Sequence, residues 1–289
     1  MEKFIDKART IMEALPYIRE FYGKTVVVKY GGSAMDDEKL KEISIKDFVL
    51  LKLVGINLIV VHGGGPHISK LMEKLGKEVK FIEGYRYTDE ETVEITEMVL
   101  SGLINKEIVA RINFEGGKAV GISGKDSNLI VSEKKKDYSG KNIDYGLVGE
   151  IVKVNPDILF NLIEGGYIPV VSPISIGVDG KTYNINADTA AGEIAIAARA
   201  YRLIYITDVR GIYKVPGDES TFIPSLHKDE IDDLKRDKII SKGMLPKVDS
   251  AIKALENGVE KVHIIDGRIE HSLLLELLTE AGIGTEILL

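Results

Sequence analysis

Short runs of β-branched apolar residues alternate along this chain with segments of helical periodicity. The first run, Thr25–Tyr30, ends in a glycine pair, and a charged helical segment follows from about residue 36 to 54. The second run, residues 58–61, leads into three glycines and an amphipathic helix, with Pro66 in its first turn and Gly76 as its stop. Strands that alternate with helices in this way form a largely parallel sheet covered by helices, which predicts an α/β fold.

The rest of the chain continues this pattern with one interruption. A helix is predicted to begin near Thr88, which has capping-box spacing to Glu91. Residues 119–176 favour β-hairpins with one helix at 156–164. We predict an N-terminal helix (1–22) and two lobes, 23–180 and 181–289, that share one sheet. The remaining predicted elements are helices at 187–200 and 246–257, the second with Gly258 as its stop, and strands at 203–207, 262–265 and Thr285–Leu288.

Composition excludes several classes of function. The net charge of −7 gives no basic face for a nucleic acid. The absence of cysteine excludes disulfides, thiolate nucleophiles and cysteine-ligated metals, and is typical of a cytoplasmic protein. No apolar run reaches the roughly 18 residues that a membrane span needs. We therefore predict a cytoplasmic protein that binds neither nucleic acid nor membrane, and we predict no metal site built from protein ligands.

Two strand-to-glycine junctions are the strongest candidates for a site. Lys29 precedes Gly31 and Gly32, and His62 precedes the glycines 63–65. In a parallel sheet both junctions lie at the carboxyl ends of strands, where ligands bind. Glycines bring backbone N–H groups close to an anion, although each junction alone could be an ordinary tight turn. Neither matches the Walker lysine loop or the dinucleotide fingerprint, and phosphate binding remains open.

Four charged residues occupy positions that suggest a role beyond folding. Lys29 lies within an apolar strand, where it needs a partner unless it reaches water at a sheet edge. Lys247 lies in the first turn of a helix, where a cation opposes the helix dipole. Asp188 lies in the first turn of the predicted helix 187–200, where its negative charge could simply compensate the helix dipole. Arg86 stands between two tyrosines, and it could stack on them or clamp a carboxylate with its planar fork.

Eight segments in order resemble the acetylglutamate kinases of the amino acid kinase family, and the resemblance covers essentially the whole chain. GYRYTD and NINADTAA best separate it from carbamate kinases, aspartokinases and uridylate kinases. The segments are KYGGSAM (29–35), VVHGGGPHI (60–68), GYRYTDEET (84–92), VLSGLINKEIV (99–109), GISGKDSNLI (121–130), YNINADTAAGEIA (183–195), YITDVRGIY (205–213) and GMLPKV (243–248).

The resemblance implies a three-layer αβα sandwich and an ATP-dependent kinase that uses Mg²⁺. It implies that Lys29 and Lys247 neutralise charge in the transition state and that Asp188 holds them. The residues implied to bind N-acetyl-L-glutamate are Gly63, Gly64, Gly65, Arg86 and Asn184. The residues implied to bind the nucleotide are Gly31, Gly32, Thr207, Asp208, Val209, Gly211 and Tyr213.

Both ends of the chain resemble the arginine-inhibited members of the family. The resemblance implies that N-terminal helices join dimers into a hexamer and that arginine binds beside Tyr17, His263, Glu276 and Gly282. A helix packed on its own subunit is the alternative. A P-II signalling protein is a partner of some members, and no segment of this chain decides whether it binds here.

The chemistry implied suits these residue types. A glutamate side chain has a pKa near 4.3, and it is therefore an ionised nucleophile at neutral pH that needs no general base. A kinase for an α-aminoadipate derivative remains an alternative, because one methylene is worth only ~1–3 kcal/mol of discrimination. A non-catalytic arginine sensor is a third hypothesis, and the retained Lys29, Asp188 and Lys247 disfavour it.

Overall fold

The computed structural model describes residues 1–137, 141–215, 217–237, 239–240 and 243–289, and for residues 2 and 3 only the backbone. The helices are α1 (Glu2–Glu13), α2 (Leu15–Phe21), α3 (Ser33–Asp36), α4 (Glu38–Leu53), α5 (Gly65–Lys74), α6 (Glu90–Glu97), α7 (Asn105–Phe114), α8 (Asp157–Glu164), α9 (Ala187–Ala197), α10 (Lys228–Arg236), α11 (Met244–Glu256) and α12 (Ser272–Leu278). A π-helix spans Met98–Ile104, and 3₁₀ turns span Asp126–Asn128 and Glu219–Thr221.

The strands form one large sheet, one small sheet and two short hairpins. The strands are β1 (Thr25–Tyr30), β2 (Asn57–His62), β3 (Phe81–Ile82), β4 (Tyr85–Arg86), β5 (Ala119–Ser123), β6 (Ile130–Lys134), β7 (Gly149–Val154), β8 (Ile168–Ser172), β9 (Ile174–Gly177), β10 (Thr182–Asn184), β11 (Arg202–Thr207), β12 (Ile212–Tyr213), β13 (Phe222–Ile223), β14 (Ser225–His227), β15 (Lys261–Asp266) and β16 (Thr285–Leu288).

The large sheet has the order β14-β16-β15-β11-β1-β2-β8-β5. Its neighbouring strands in the described chain run parallel except for the β15–β16 pair. The chain up to residue 172 supplies β1, β2, β5 and β8, which form one half of the sheet, and the chain from residue 202 supplies the other four. The pairing of β1 with β11, from Val26 opposite Arg202 to Lys29 opposite Tyr205, joins the two halves.

Helices cover both faces of this sheet because its strands are apolar on both sides. Val26 and Val28 of β1 belong to a core that contains α4, α5, α7 and α12. Val27, between them, belongs to the opposite core with α9 and α11. Side chains alternate along a strand, and Lys29 therefore lies on the same face as Val27, towards α9 and α11. The predicted αβα sandwich is confirmed.

Within the region predicted as hairpins, β5 and β8 instead run parallel in the large sheet, so the prediction was wrong for these two strands. The rest of that region contributes β6, β7 and β9 to the small sheet, of order β10-β9-β6-β7. Its β9–β10 and β6–β7 pairs are antiparallel, whereas β6 and β9 run parallel. A separate hairpin of β3 and β4 was not predicted. Its turn contains Glu83 and Gly84 at positive φ, and it carries Arg86.

The N-terminal segment corrects one prediction. Residues 1–22 form two helices instead of one, and they divide at Ala14. Pro16 explains the break, because proline has no N–H to donate to the preceding turn. Phe4, Ile11 and Met12 of α1 remain 60–70% exposed. The apolar face of α1 therefore has no cover within the described part of the subunit.

Several helix boundaries also differ from the predictions. The cap of α6 is Asp89, whose carboxylate accepts the Thr92 N–H at 2.8 Å, and the predicted cap Thr88 instead donates its hydroxyl to the Arg86 carbonyl. Helix α11 begins at Met244, two residues before the predicted start. The stops at Gly76 and Gly258 are confirmed, with φ of 72° and 96°.

Candidate active site

A cleft of about 330 Å³ opens at the carboxyl ends of β1 and β2, between the glycine junctions and the start of α9. The β3–β4 hairpin closes one side with Phe81, Gly84 and Arg86. The predicted site residues that line it are Lys29, Gly31, Gly32, Gly63, Gly64, Gly65, Arg86, Asn184, Asp188 and Asp208. The topology therefore brings together residues that lie up to 180 positions apart in the sequence.

The two lysines meet on one carboxylate. Lys29 Nζ lies 3.1 Å from Asp188 Oδ1, and Lys247 Nζ donates to Asp188 Oδ2 at 2.5 Å. Asn186 caps α9 by accepting the N–H groups of Asp188 and Thr189, which fixes the first turn that carries Asp188. All three charged side chains are about nine-tenths buried.

Burial and charge act in opposite directions on this cluster. Burial disfavours the ionised form of Asp188, but Lys29 and Lys247 outweigh it and hold the pKa of that carboxyl below its ordinary value. Burial lowers the pKa of Lys247, with Lys29 adding to the effect, although Asp188 opposes it. One carboxylate between two ammonium groups leaves a surplus positive charge for a ligand.

The first glycine junction is shaped by Asp208. The Asp208 carboxylate accepts the Ser33 N–H at 2.5 Å. Gly32 has a φ of 68°, and a Cβ there would lie 2.5 Å from the Asp208 carboxylate. Only glycine therefore fits the loop while Asp208 bonds its backbone.

The second junction lies against the π-helix. A Cβ at Gly64 would overlap Ile104 and approach Leu100 to 2.6 Å. His62, at the end of β2, is fully buried beneath this loop. Its Nδ1 lies 2.9 Å from the Gly63 carbonyl oxygen, and its Nε2 lies 3.2 Å from Asn105 Nδ2. The sequence places His62 before the glycines but predicts no role for it or for Asn105, because their contact is tertiary.

Arg86 is a buried cation with neutral partners. Its Nη2 donates to the Gly65 carbonyl at 2.9 Å and to the Ser69 hydroxyl at 2.8 Å. Its guanidinium lies 4.8 Å from the centre of the Phe81 ring instead of stacking on the flanking tyrosines. Burial lowers the pKa of this group, and no carboxylate of the described residues forms an ion pair with it. An unpaired buried guanidinium facing a cleft suits an anionic ligand.

Asn184 lies at the end of β10. Its backbone N–H donates to the Leu147 carbonyl, and its side-chain amide lies 3.4 Å from the Thr88 hydroxyl. This long contact leaves the amide able to bond a ligand in the cleft, which Asn184 lines.

A second cavity of about 360 Å³ adjoins the cleft, and Asp208 lines both. Of the residues predicted to bind the nucleotide, Asp208, Val209, Gly211 and Tyr213 line this cavity. Thr207 does not, because it lies in β11, where its carbonyl accepts the Gly267 N–H. Gly31 and Gly32 line the cleft instead.

Arg268 lines the same cavity and was not predicted. Its Nη2 lies 2.7 Å from Asp266 Oδ2, and Asp266 ends β15. Arg268 follows a strand at the carboxyl edge of the sheet, and this position could have predicted it as a ligand-binding residue.

A third cavity, of about 380 Å³, lies near the amino ends of β11 and β15, where Arg202 and Lys261 line it. Its lining contains Tyr17, His263, Glu276 and Gly282, all four residues that the resemblance connects with arginine. His263 Nδ1 lies 2.6 Å from Glu276 Oε1, and Glu276 Oε2 accepts the N–H groups of Ile283 and Gly284. Helix α2, through Tyr17, forms one wall.

No group of three or more acidic, histidine or cysteine side chains in the described ranges could hold a metal ion. No described helix is long and apolar enough to cross a membrane.

Comparison with known proteins decides the family. Residues 24–266 match the sequence profile of the amino acid kinase family. The chain belongs to the amino acid kinase family. It is 56% identical to an acetylglutamate kinase of Thermoanaerobacter pseudethanolicus, over 98% of this chain and 93% of that one. It is 52% identical to an acetylglutamate kinase of Aquifex aeolicus over the full length of both. The predicted resemblance and the classification as an enzyme of this family are confirmed.

A solved relative has the same fold. N-acetylglutamate synthase from Neisseria gonorrhoeae, complexed with coenzyme A and N-acetyl-glutamate, has a TM-score of 0.85 and 28% identity. The match covers 98% of this chain and 63% of the synthase. The synthase complexed with coenzyme A and L-arginine has a TM-score of 0.80 and 26% identity, over 96% of this chain and 64% of that one.

Proposed function

We propose that this kinase transfers the γ-phosphoryl group of ATP to the side-chain carboxylate of N-acetyl-L-glutamate, giving N-acetylglutamyl 5-phosphate and ADP in arginine biosynthesis. The observation that carries the proposal is the cleft lined by the buried Arg86, by Lys29 and by Asp188, whose carboxylate also binds Lys247. Relatives named acetylglutamate kinase, more than half identical over nearly the whole chain, support the choice of substrate.

The arrangement suits attack by an ionised carboxylate. The nucleophile needs no general base, but it must approach a polyanion. The repulsion between two like unit charges 4 Å apart is roughly 4 kcal/mol at an effective dielectric of 20. One cation at the same distance would do no more than offset this repulsion. Lys29 and Lys247 together supply two, of which the Asp188 carboxylate offsets one, and backbone N–H groups of the glycine junctions add to the surplus. Asp188 also holds both ammonium groups in place before the substrates arrive.

The other groups bind and orient. Arg86 and Asn184 would hold the α-carboxylate and the acetylamino group at one end of the cleft. The N–H groups of the two glycine junctions would bind the phosphoryl oxygens between the substrates. The nucleotide would occupy the adjoining cavity. Its Mg²⁺ would be bound by the phosphates, so that Mg·ATP is the substrate.

The proposed reaction is tested by trapping the acyl phosphate with hydroxylamine. The purified chain is incubated with Mg·ATP and, separately, acetylglutamate, acetylaminoadipate, glutamate and aspartate. We expect a hydroxamate chiefly from acetylglutamate. A chief product from acetylaminoadipate would assign the chain to the alternative kinase. No product from any acceptor, with tight arginine binding, would favour a non-catalytic sensor.

We also propose that arginine inhibits the enzyme by binding in the cavity at Tyr17, His263 and Glu276. This cavity is lined by carboxylates and by two cations, and it therefore suits a ligand that carries both a guanidinium and a carboxylate. The charged residues are Glu20, Glu276, Glu280, Glu286, Arg202 and Lys261, of which Arg202 pairs with Glu20 and Lys261 with Glu286. The exposed apolar face of α1 supports a hexamer in which these helices pair between dimers. Adding arginine to the hydroxamate assay should reduce the rate, and an unchanged rate at saturating arginine would refute inhibition.

A further inference from the structure

Helices α9 and α11 cross very closely at one point. A Cβ built on Gly192 of α9 would overlap the hydroxyl oxygen of Ser250 on α11. The same Cβ would lie 3.4 Å from both the Cβ and the carbonyl oxygen of Ser250, which is ordinary contact. The hydroxyl oxygen alone therefore prevents a side chain at position 192.

The Ser250 hydroxyl is also bonded to the backbone of the site. It donates to the Asp188 carbonyl at 3.1 Å, and it accepts the Tyr205 hydroxyl at 2.9 Å. Tyr205 is fully buried in β11, at the centre of the sheet. Ser250 thus connects the first turn of α9, helix α11 and the central sheet.

This crossing lies one helical turn from the charged cluster. Gly192 follows Asp188 by four residues, and Ser250 follows Lys247 by three. Residues at these spacings lie on one helix face, about one turn apart. The separation of the helices at Gly192 and Ser250 therefore determines whether Lys247 Nζ can reach the Asp188 carboxylate.

We propose that Gly192 and Ser250 are positioning residues that set the spacing of α9 and α11, and with it the Lys247–Asp188 contact. The proposal rests on the phosphoryl transfer proposed above. Lys29 reaches Asp188 from β1 and does not depend on α11. A wider crossing should therefore displace Lys247 and leave Lys29 and the acetylglutamate cleft in place.

The test is a rescue experiment on phosphoryl transfer. Gly192→Ala should lower kcat by about 100-fold, because a displacement near 1 Å can cost that much. Its KM for acetylglutamate should stay within about twofold. Ser250→Ala removes the obstructing oxygen and should lower kcat by only a few fold. The double variant Gly192→Ala/Ser250→Ala should recover to within a few fold of Ser250→Ala.

Each other outcome overturns the proposal. Wild-type kcat in Gly192→Ala would show that the crossing has no effect on the reaction. A double variant as slow as Gly192→Ala would show that the Ser250 oxygen is not the cause. A loss confined to KM for acetylglutamate would place the effect in the cleft. Alanine is the better helix former, and a weakened α9 would not explain a loss.

Two measures keep the test decisive. If Gly192→Ala does not fold, Ser250→Cys replaces it in the test. This variant places a larger atom at the same crossing, and it should give an intermediate loss of kcat. Full activity in a folded Ser250→Cys would then contradict the proposal. The wild-type chain is assayed first, because its failure to phosphorylate any acceptor would refute the proposed function and not the spacing of the helices.

Discussion

At the scale of single residues, the site depends on charges that are unfavourable where they stand. Lys29 is a cation in an apolar strand, Lys247 opposes a helix dipole, and Arg86 is buried without a carboxylate partner among the described residues. Asp188 offsets the first two only in part. These positions lower stability locally and prepare the cleft for anions, which is typical of residues retained for a site.

Removal of either lysine should reduce turnover. We expect kcat of Lys29→Ala and of Lys247→Ala to fall about 100- to 1,000-fold, as for loss of one preorganised donor. Lys253→Ala is the matched control on α11, because Lys253 is half exposed and, among the described residues, forms an ion pair only with Glu193. Its kcat should be unchanged. Near-normal turnover in Lys29→Ala or Lys247→Ala would remove that lysine from the mechanism.

Replacement of the guanidinium should affect one substrate only. Arg86→Lys keeps the charge and loses the planar fork. A hydrogen bond to a charged group contributes about 1.5–3 kcal/mol, and KM for acetylglutamate should therefore rise roughly 10- to 100-fold. Initial rates at saturating ATP measure this. A rise in KM for ATP alone would show that Arg86 binds the nucleotide and not acetylglutamate.

At the scale of elements, the glycine junctions depend on their neighbours. The π-helix packs Leu100 and Ile104 against Gly64, and Asn105, just after it, bonds His62 beneath the loop. Asn105 Nδ2 also donates to the Val170 carbonyl, which fixes the orientation of the amide. The ring of His62 therefore accepts at Nε2 and donates from Nδ1 to the Gly63 carbonyl.

The neutral His62 should make stability depend on pH. Burial, with a smaller contribution from Lys106, lowers its pKa from 6.5 to about 4. Below pH 6.5 the unfolded chain therefore binds a proton that the folded chain refuses, and the free energy of unfolding falls as the pH drops towards 4. The loss should approach about 3 kcal/mol.

Urea unfolding at pH 7, 5.5 and 4.5 measures the free energy of unfolding of the wild type and of His62→Gln. The loss on acidification should be smaller in the variant. Asp47, whose pKa burial raises to about 6, contributes with the opposite sign in both proteins and cancels in the comparison. Equal losses in the two proteins would contradict a neutral His62.

The sequence predicted the elements whose periodicity is strong. The strand Thr25–Tyr30 was predicted with its observed bounds, as were the helix stops at Gly76 and Gly258. The β3–β4 hairpin was missed because two-residue strands have no measurable period. The π-helix was missed because its five-residue hydrogen bonds leave no distinct apolar pattern. The burial of Arg86 and the crossing at Gly192 depend on tertiary contacts.

At the scale of the whole molecule, one sheet supports the three cavities to which the proposed function assigns ligands. The strands β1 and β2 support the cleft, and β11 and β15 support the adjoining cavity. The third cavity lies beside α12 and α2 and includes residues close to both ends of the chain. The apolar face of α1 is exposed in the described structure, and α1 leads directly into α2, which lines that cavity. This continuity connects the proposed assembly with the proposed inhibition.

Deletion of residues 1–20 should give dimers with weakened inhibition by arginine. This deletion also removes Tyr17 and Glu20 from the third cavity. Phe4→Ser/Ile11→Ser is therefore the matched variant, because it changes only the exposed face of α1. Light scattering should show dimers for both. Hexamers with wild-type sensitivity to arginine in the deletion would contradict the account.

The central claim is that a side-chain carboxylate attacks the γ-phosphorus of ATP, and an isotope transfer tests it most directly. Acetylglutamate labelled with ¹⁸O in its side-chain carboxylate is phosphorylated, and hydroxylamine then attacks the carbonyl carbon and releases phosphate with the bridging oxygen. We expect one ¹⁸O atom in each released phosphate, detected by ³¹P NMR. Phosphate without ¹⁸O would contradict it.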